Sequence, residues 1–257
     1  MGRRNTLSSA PAMDQAADFE AIVASTPDER AAAYRVRYSV YVGEQRKPYP
    51  DADHERCWLT DRLDANAAVI LVTGTAGPCG TVRGCFADCE YVKETYEKQF
   101  ALSHFSDLPD RSIAICSRLA VLHPYRATPV SRILFREIYR YGIGRDTRFT
   151  FEACAPRVRS IFVRYGFREY APPYIDSVAG PLHRMLLTLD DLAHLERARS
   201  PFLSLAKELG VKHLSRPWLD KMIEDHNQRI GFGFPEEPAS SPASDSRSFA
   251  GYPREYA

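Results

Sequence analysis

A chain of 257 residues, 44% hydrophobic and 26% charged, has material for one large core or two smaller ones, and its net charge of +1 provides no field to gather nucleic acid or anionic lipid. No run approaches the about 18 apolar residues of a membrane span, and no apolar stretch follows Arg3-Arg4 as it would in a secretory leader. A cytoplasmic protein without a transmembrane segment or a nucleic-acid partner is expected. Six irregularly spaced cysteines (Cys57, Cys79, Cys85, Cys89, Cys116, Cys154) include no Cys-x-x-Cys pair, so reduced thiols are expected and no metal site.

Residues 1–17 are polar and alanine-rich and read as disordered. Residues 19–24 (FEAIVA) read as a first strand. Thr26-Pro27-Asp28-Glu29 is a strong helix start, with Thr26 as cap, Pro27 at the first position and an acid in the first turn. That helix runs to about Val42 and carries Tyr34, Arg37, Tyr38 and Tyr41 at three- and four-residue steps. A Pro/Asp/Gly-rich loop follows over 43–60. Residues 67–73 (AAVILVT) and 80–87 (GTVRGCFA) read as strands two and three, joined by a hairpin turn over 75–79. A short helix is predicted over 94–102.

Ile113–Val121 is a fourth, buried strand, apolar except for Ser117 and Arg118. His123-Pro124 ends it, and a basic turn over 125–129 leads into an amphipathic helix over 131–141, with Pro129 in its first turn and Thr128 as cap. A strand feeding a helix start through a basic turn suits an anion, since unpaired amides and the helix dipole face the turn. An ordinary connection with a surface arginine is the other reading. Residues 148–154 (RFTFEAC) are a fifth strand, 156–165 a helix stopped by Gly166, and 182–189 a last strand. This order fits a mixed α/β protein of α+β type, with helices flanking one sheet, rather than a doubly wound parallel sheet. The predicted divisions are a folded domain over 18–199, a helical extension over 200–229 split near Arg216-Pro217, and a disordered Pro/Ser-rich tail over 230–257.

The order of elements, with Gly80-Thr81-Val82-Arg83-Gly84, Ser117-Arg118-Leu119-Ala120-Val121, Tyr125-Arg126 and Phe162-Val163-Arg164-Tyr165-Gly166-Phe167, resembles the GNAT superfamily of acyl-CoA-dependent N-acyltransferases over about residues 19–191. Arg37-Tyr38-Ser39-Val40-Tyr41-Val42-Gly43-Glu44 and Asp61-x-x-Asp64 are similar to the branch that takes long acyl chains from acyl carrier protein. That branch includes acyl-homoserine-lactone synthases, N-acyl amino acid synthases and exosortase-associated acyltransferases. Two departures stand out. Ile115 occupies the position of a glutamate in the homoserine-lactone synthases, and the turn over 126–131 lacks the glycines of the usual phosphate loop. Phe162 also replaces the usual tyrosine acid.

The resemblance implies a GNAT-like twisted mixed sheet and an acyl carrier protein or CoA thioester as co-substrate, with no tightly bound cofactor. It places an oxyanion donor at the backbone amide of Leu119 or Val121, where the fourth strand bulges, with Arg118 beside it. Glu152, His123 and the Asp61/Asp64 pair are the candidate bases. Glu152 stands out because it lies in an apolar strand, where desolvation raises a carboxyl pKa; a structural partner of an arginine is the alternative. Arg37, Tyr41, Asp61, Asp64 and Arg83 form the candidate acceptor set, and Asp61, Asp64, Arg37, Arg83 and Arg118 are expected to join in one charged network that could bind an amino acid, since arginine forks hold carboxylates; a purely structural network is the other reading. Arg126, Thr128, Ser131 and Arg132 are the candidate donor contacts, and Arg132, Arg136 and Arg140 recur every four residues as a stripe suited to an acidic carrier protein. The function expected is acyl transfer to the amine of a small amino-acid-like acceptor. The alternatives are acetyl-CoA-dependent acetylation of an amine, or a silent GNAT-like binding module.

Overall fold

The computed structural model describes residues 18–212. The expectations for residues 1–17, for the helix split near Arg216-Pro217 and for the tail lie outside the described residues. Among these residues seven strands form one sheet in the order β1-β4-β5-β6-β7-β9-β8, and two short strands, β2 (Ala52–Asp53) and β3 (Trp58–Leu59), pair separately. The sheet strands are β1 (Glu20–Val23), β4 (Ala68–Gly74), β5 (Gly77–Phe86), β6 (Ile113–Val121), β7 (Phe149–Cys154), β8 (Arg168–Asp176) and β9 (Gly180–Thr188). All neighbours are antiparallel except β6 and β7. This is a mixed sheet with flanking helices.

Strand alternation decides which helix covers which face. Ile70 and Val72 of β4 and Val82 of β5 pack under Val130, Leu134 and Ile138 of α3 (Val130–Gly144). The intervening Val69 and Leu71 pack under Ala33 of α1 (Pro27–Tyr38). Gly80 and Gly84 let α3 approach closely: a Cβ at Gly80 would lie 2.5 Å from Val130 Cγ1, and one at Gly84 2.9 Å from Ile138 Cδ1. On α1 the expected start is present in full, with Thr26 Oγ1 accepting from the Glu29 amide and the Glu29 carboxylate accepting from the Thr26 amide.

A second aromatic core joins α2 (Glu90–Phe100) to β6, β7 and β8 through Phe100, Phe105, Phe151 and Tyr170. A third joins α3 to α4 (Arg159–Tyr165), α5 (Leu192–Arg197) and α6 (Phe202–Glu208), with Phe202 stacked on Tyr139 at 4.5 Å between ring centres. The helical extension thus begins as an integral part of this core.

Several expectations need correction. The first helix does not run evenly to Val42; it widens after Tyr38 into a π-helical turn, Ser39–Glu44. The loop over 43–60 contains the β2–β3 ribbon. α2 begins at Glu90 rather than at 94, with no side-chain cap at Cys89 to mark the start, and it stops where Ala101 adopts φ +52°. Pro129 caps α3 from outside, and the Thr128 hydroxyl, which donates to the Tyr125 carbonyl, accepts from the Val130 amide at 3.4 Å. β8 had no counterpart in the sequence reading.

Candidate active site

β6 and β7 run parallel and share only three residue pairs, Ile113–Phe149, Ala114–Thr150 and Ile115–Phe151. Beyond Ile115 β6 stays with β5 and β7 stays with β9, so the two strands part. Between them opens a cavity of about 790 Å³. At its wall β6 bulges: Ser117 pairs with Arg83 and Ala120 with Thr81, so Arg118 and Leu119 together oppose Val82. The extra residue places Arg118 in the left-handed region at φ +57°. The Leu122 amide donates to Cys79 of β5 at 3.0 Å, so alternation turns the Val121 N–H and C=O to the opposite edge, toward the cavity. The Val121 carbonyl accepts from Arg126 Nε at 3.1 Å, and the Leu119 carbonyl from the Tyr41 hydroxyl at 2.7 Å. Tyr41 reaches the bulge from the π-helical turn.

Behind this wall lies the ion network. Arg37 donates to Asp64 Oδ1 at 2.7 Å; Arg83 Nη1 bridges Asp61 Oδ1 at 2.6 Å and Asp64 Oδ2 at 3.0 Å; Arg118 Nη2 reaches Asp61 Oδ2 at 3.0 Å. The Asp61-x-x-Asp64 spacing serves twice, because the same carboxylates form a capping box on the turn Arg62–Asn66. Burial alone raises both aspartates, but Arg83 with Arg118 at Asp61, and Arg37 with Arg83 at Asp64, outweigh it and hold both carboxyls below their usual range. Arg83, Asp61 and Arg118 line the cavity, whereas Arg37 and Asp64 stand behind it, buried. Arg37 Nε and Nη2 have no hydrogen-bond partner, and burial lowers its pKa against the pull of Asp64. With three guanidiniums and two carboxylates the network keeps one excess positive charge.

The opposite wall comes from β7. Glu152 is 8% exposed and paired across the ladder with Met185, and among the described residues no cation bonds its carboxylate. Burial therefore pushes its pKa well above the ordinary 4.5, with the Ala153 amide opposing only in part. Cys116 faces the same space, and burial, then Glu152, raises its thiol well above the usual value, which disfavours the thiolate that a covalent route needs. Apolar lining comes from Leu119, Phe135, Ile161 and Phe162.

The basic turn meets the cavity in part. Arg126 and Ser131 line it; Thr128 and the exposed Arg132 do not. The Arg126 guanidinium pairs with Glu44, whose other oxygen accepts from the His123 amide at 3.2 Å. His123 itself is exposed. Arg136 and Arg140 come within 3.8 and 3.7 Å of Glu208 on α6, so part of the arginine stripe faces a carboxylate of its own chain. Sequence reasoning missed Lys47, Tyr49, Tyr96 and Asp176, all of which line the cavity. The Arg118 guanidinium lies 4.7 Å from the centre of the Tyr49 ring. The signal available for Lys47 and Tyr49 was their place in a Pro-rich loop just after the Arg/aromatic segment. Among the described residues, no three His, Cys, Asp or Glu side chains are grouped to hold a metal ion, and no helix is long and apolar enough to cross a membrane.

No protein-family profile matches this chain, and no curated protein matches it in sequence. Solved structures do. FeeM, an N-acyl amino acid synthase from uncultured soil microbes, superposes with a TM-score of 0.55 over 70% of this chain and 96% of its own, at 15% identity. BjaI, a CoA-dependent acyl-homoserine lactone synthase, gives 0.56 over 71% and 90% at 14% identity. The acyl-homoserine lactone synthase LasI gives 0.52 over 66% and 90% at 14% identity. The chain therefore has a GNAT-like α/β fold and resembles acyl-thioester-dependent N-acyltransferases in architecture.

Proposed function

We propose that this protein is an N-acyltransferase that moves an acyl group, of long chain length, from an acyl carrier protein or CoA thioester to the amine of a small amino-acid-like acceptor. The observation that carries the reading is the parting of β6 and β7 after Ile115, which leaves a strand edge free along a cavity of about 790 Å³. The thioester lies along that edge. Its carbonyl oxygen takes a hydrogen bond from the outward Val121 amide, with the Leu119 amide at the bulge as the second candidate; one such donor is worth about 10²–10³ in rate. The acceptor nitrogen attacks the carbonyl carbon, the oxyanion collapses, and the C–S bond breaks. Glu152 handles one proton: its ionised form takes a proton from the acceptor ammonium, and the neutral acid that burial favours returns it to the departing sulfur, while the second ammonium proton leaves to solvent.

Arg118 and Asp61 border the acceptor end, and the arginine's stacking on Tyr49 fixes its direction. Arg83 lines that wall, and Arg37 and Asp64 brace it from behind. Leu119, Phe135, Ile161 and Phe162 supply an apolar wall for the acyl chain. The glycine-free turn, with Arg126 held by Glu44, fits a carrier-borne phosphopantetheine better than a pyrophosphate that needs close backbone approach. Arg126 and Ser131 are the donor contacts on the cavity, and Thr128 and Arg132 act from outside it.

The test is incubation of the full chain with acyl carrier thioesters and acyl-CoAs of graded length, an amino acid pool, and mass spectrometry. Absence of any N-acyl product with either donor class overturns the proposal. Turnover that disappears in Arg118→Ala with folding retained excludes a silent binding module.

A further inference from the structure

Lys47 is a cation on the wall of the cavity whose ammonium, among the described residues, forms no ion pair or hydrogen bond. Its backbone is tightly held. Arg46 before it adopts φ +52°, the Lys47 amide donates to the Tyr41 carbonyl at 2.9 Å, and the Lys47 carbonyl accepts from the Tyr49 amide at 3.0 Å. The ammonium lies 5.3 Å from the centre of the Tyr41 ring, and the Tyr41 hydroxyl in turn holds the Leu119 carbonyl. One side chain therefore separates this charge from the bulge.

Three other cations on the cavity wall have carboxylate partners. Arg118 pairs with Asp61, Arg83 with Asp61 and Asp64, and Arg126 with Glu44. Asp176, across the mouth, attracts Lys47 without reaching it, and its Oδ1 already accepts from the Val178 and Ala179 amides at 2.9 and 2.7 Å. Burial lowers the Lys47 pKa first, and the positive charge of Arg157 on the same cavity adds to it. A half-buried ammonium left in this way is stabilised by an anion from outside. Gln45 Oε1, on the same wall, also has no hydrogen-bond partner and is buried.

We propose that Lys47 receives the free carboxylate of the acceptor, so that the acceptor is an amino acid rather than a polyamine, an amide or a protein side chain. This rests on the acyltransferase reading above. The carboxylate on Lys47 leaves the acceptor's amine free to face the carbonyl held at the β6 bulge. The excess positive charge of the arginine–aspartate network points the same way, since the wall beside Lys47 is itself short of one anion.

The experiment compares free amino acids with their carboxamides and decarboxylated amines, using wild type, Lys47→Met and Lys47→Arg. Wild type is expected to prefer the free acid strongly. Lys47→Met is expected to raise the acceptor KM about 10- to 100-fold, the loss of one charge-assisted hydrogen bond. It leaves the donor KM unchanged and brings the acid-to-amide preference toward one, while Lys47→Arg restores part of it. Equal use of acid and amide by wild type, or an unchanged acceptor KM in Lys47→Met, overturns the inference. If wild type acylates nothing, the acyltransferase reading fails, and calorimetric binding of the free amino acids still decides Lys47. Binding lost in Lys47→Met supports the assignment; binding absent in wild type, or equal in both, overturns it.

Discussion

Replacing Glu152 by glutamine separates proton transfer from folding, because the two effects have opposite sign. In the folded protein burial holds the carboxyl pKa well above 4.5, while the unfolded chain titrates at the ordinary value. Between these two values the unfolded state releases a proton that the folded state keeps, so wild-type stability falls as pH rises. Each pH unit in that window costs about 1.4 kcal/mol. Glu152→Gln keeps the shape and the neutrality but has no proton to lose. Its urea-unfolding stability, measured at several pH values from roughly 5 upward, should therefore gain on wild type by about 1.4 kcal/mol per unit, until the folded carboxyl ionises. Acyl transfer should meanwhile drop by about 10²–10⁴ in kcat, the usual worth of a positioned acid–base group. Parallel stability curves would mean that Glu152 is ionised in the folded protein, and an unchanged kcat would remove it from the chemistry.

Asp64→Asn strands Arg37 and Arg83 without their shared carboxylate and should cost about 3–5 kcal/mol in urea unfolding. Because the native Asp61 and Asp64 pKa values are depressed, their contribution is complete above the unfolded value of 3.8 and is lost as pH falls through the folded values. Asp64→Asn should accordingly flatten the acid limb of the stability profile. Tyr41→Phe removes the hydrogen bond to the Leu119 carbonyl and should cost about 1 kcal/mol of stability; kinetics should show kcat falling more than the donor KM if that bond sets the bulge. Gly80→Ala drives a methyl to 2.5 Å from Val130 Cγ1 and should lower stability by about 1–3 kcal/mol through overpacking of α3 on β5, read as a lower Tm.

The residues that build the sheet centre were legible because they carry two signals at once. In β4 and β6 the apolar runs are long, and the expected limits of β6, Ile113 and Val121, are those observed. Thr26-Pro27-Asp28-Glu29 announced α1 through capping chemistry alone. β8 escaped because Pro172-Pro173 and the charged ends Arg168-Glu169 and Asp176 suit only an edge strand, whose pairing is supplied by β9 and not by its own pattern. The π-helical turn left no mark in sequence, since inserting a residue into a helix changes neither composition nor apolar content. At the candidate site the arginines and aspartates could be grouped because ion pairs need opposite charges, and the network formed among all five. Lys47 and Asp176 could not, because they face the same cavity only once the β8–β9 hairpin has folded.

The three-residue ladder between β6 and β7 makes the sheet two leaves bound at a short spine around Ile115 and Phe151. One leaf brings the bulge, with Arg118, Leu119 and the Val121 main chain, to the gap; the other brings Glu152 and Leu182. A lineage adapting to a new fatty donor could redraw the second leaf and the loops that border it while the first kept its chemistry. The spine pair, Ile115 and Phe151, are both fully buried, and a change of bulk there would alter how wide the leaves stand apart.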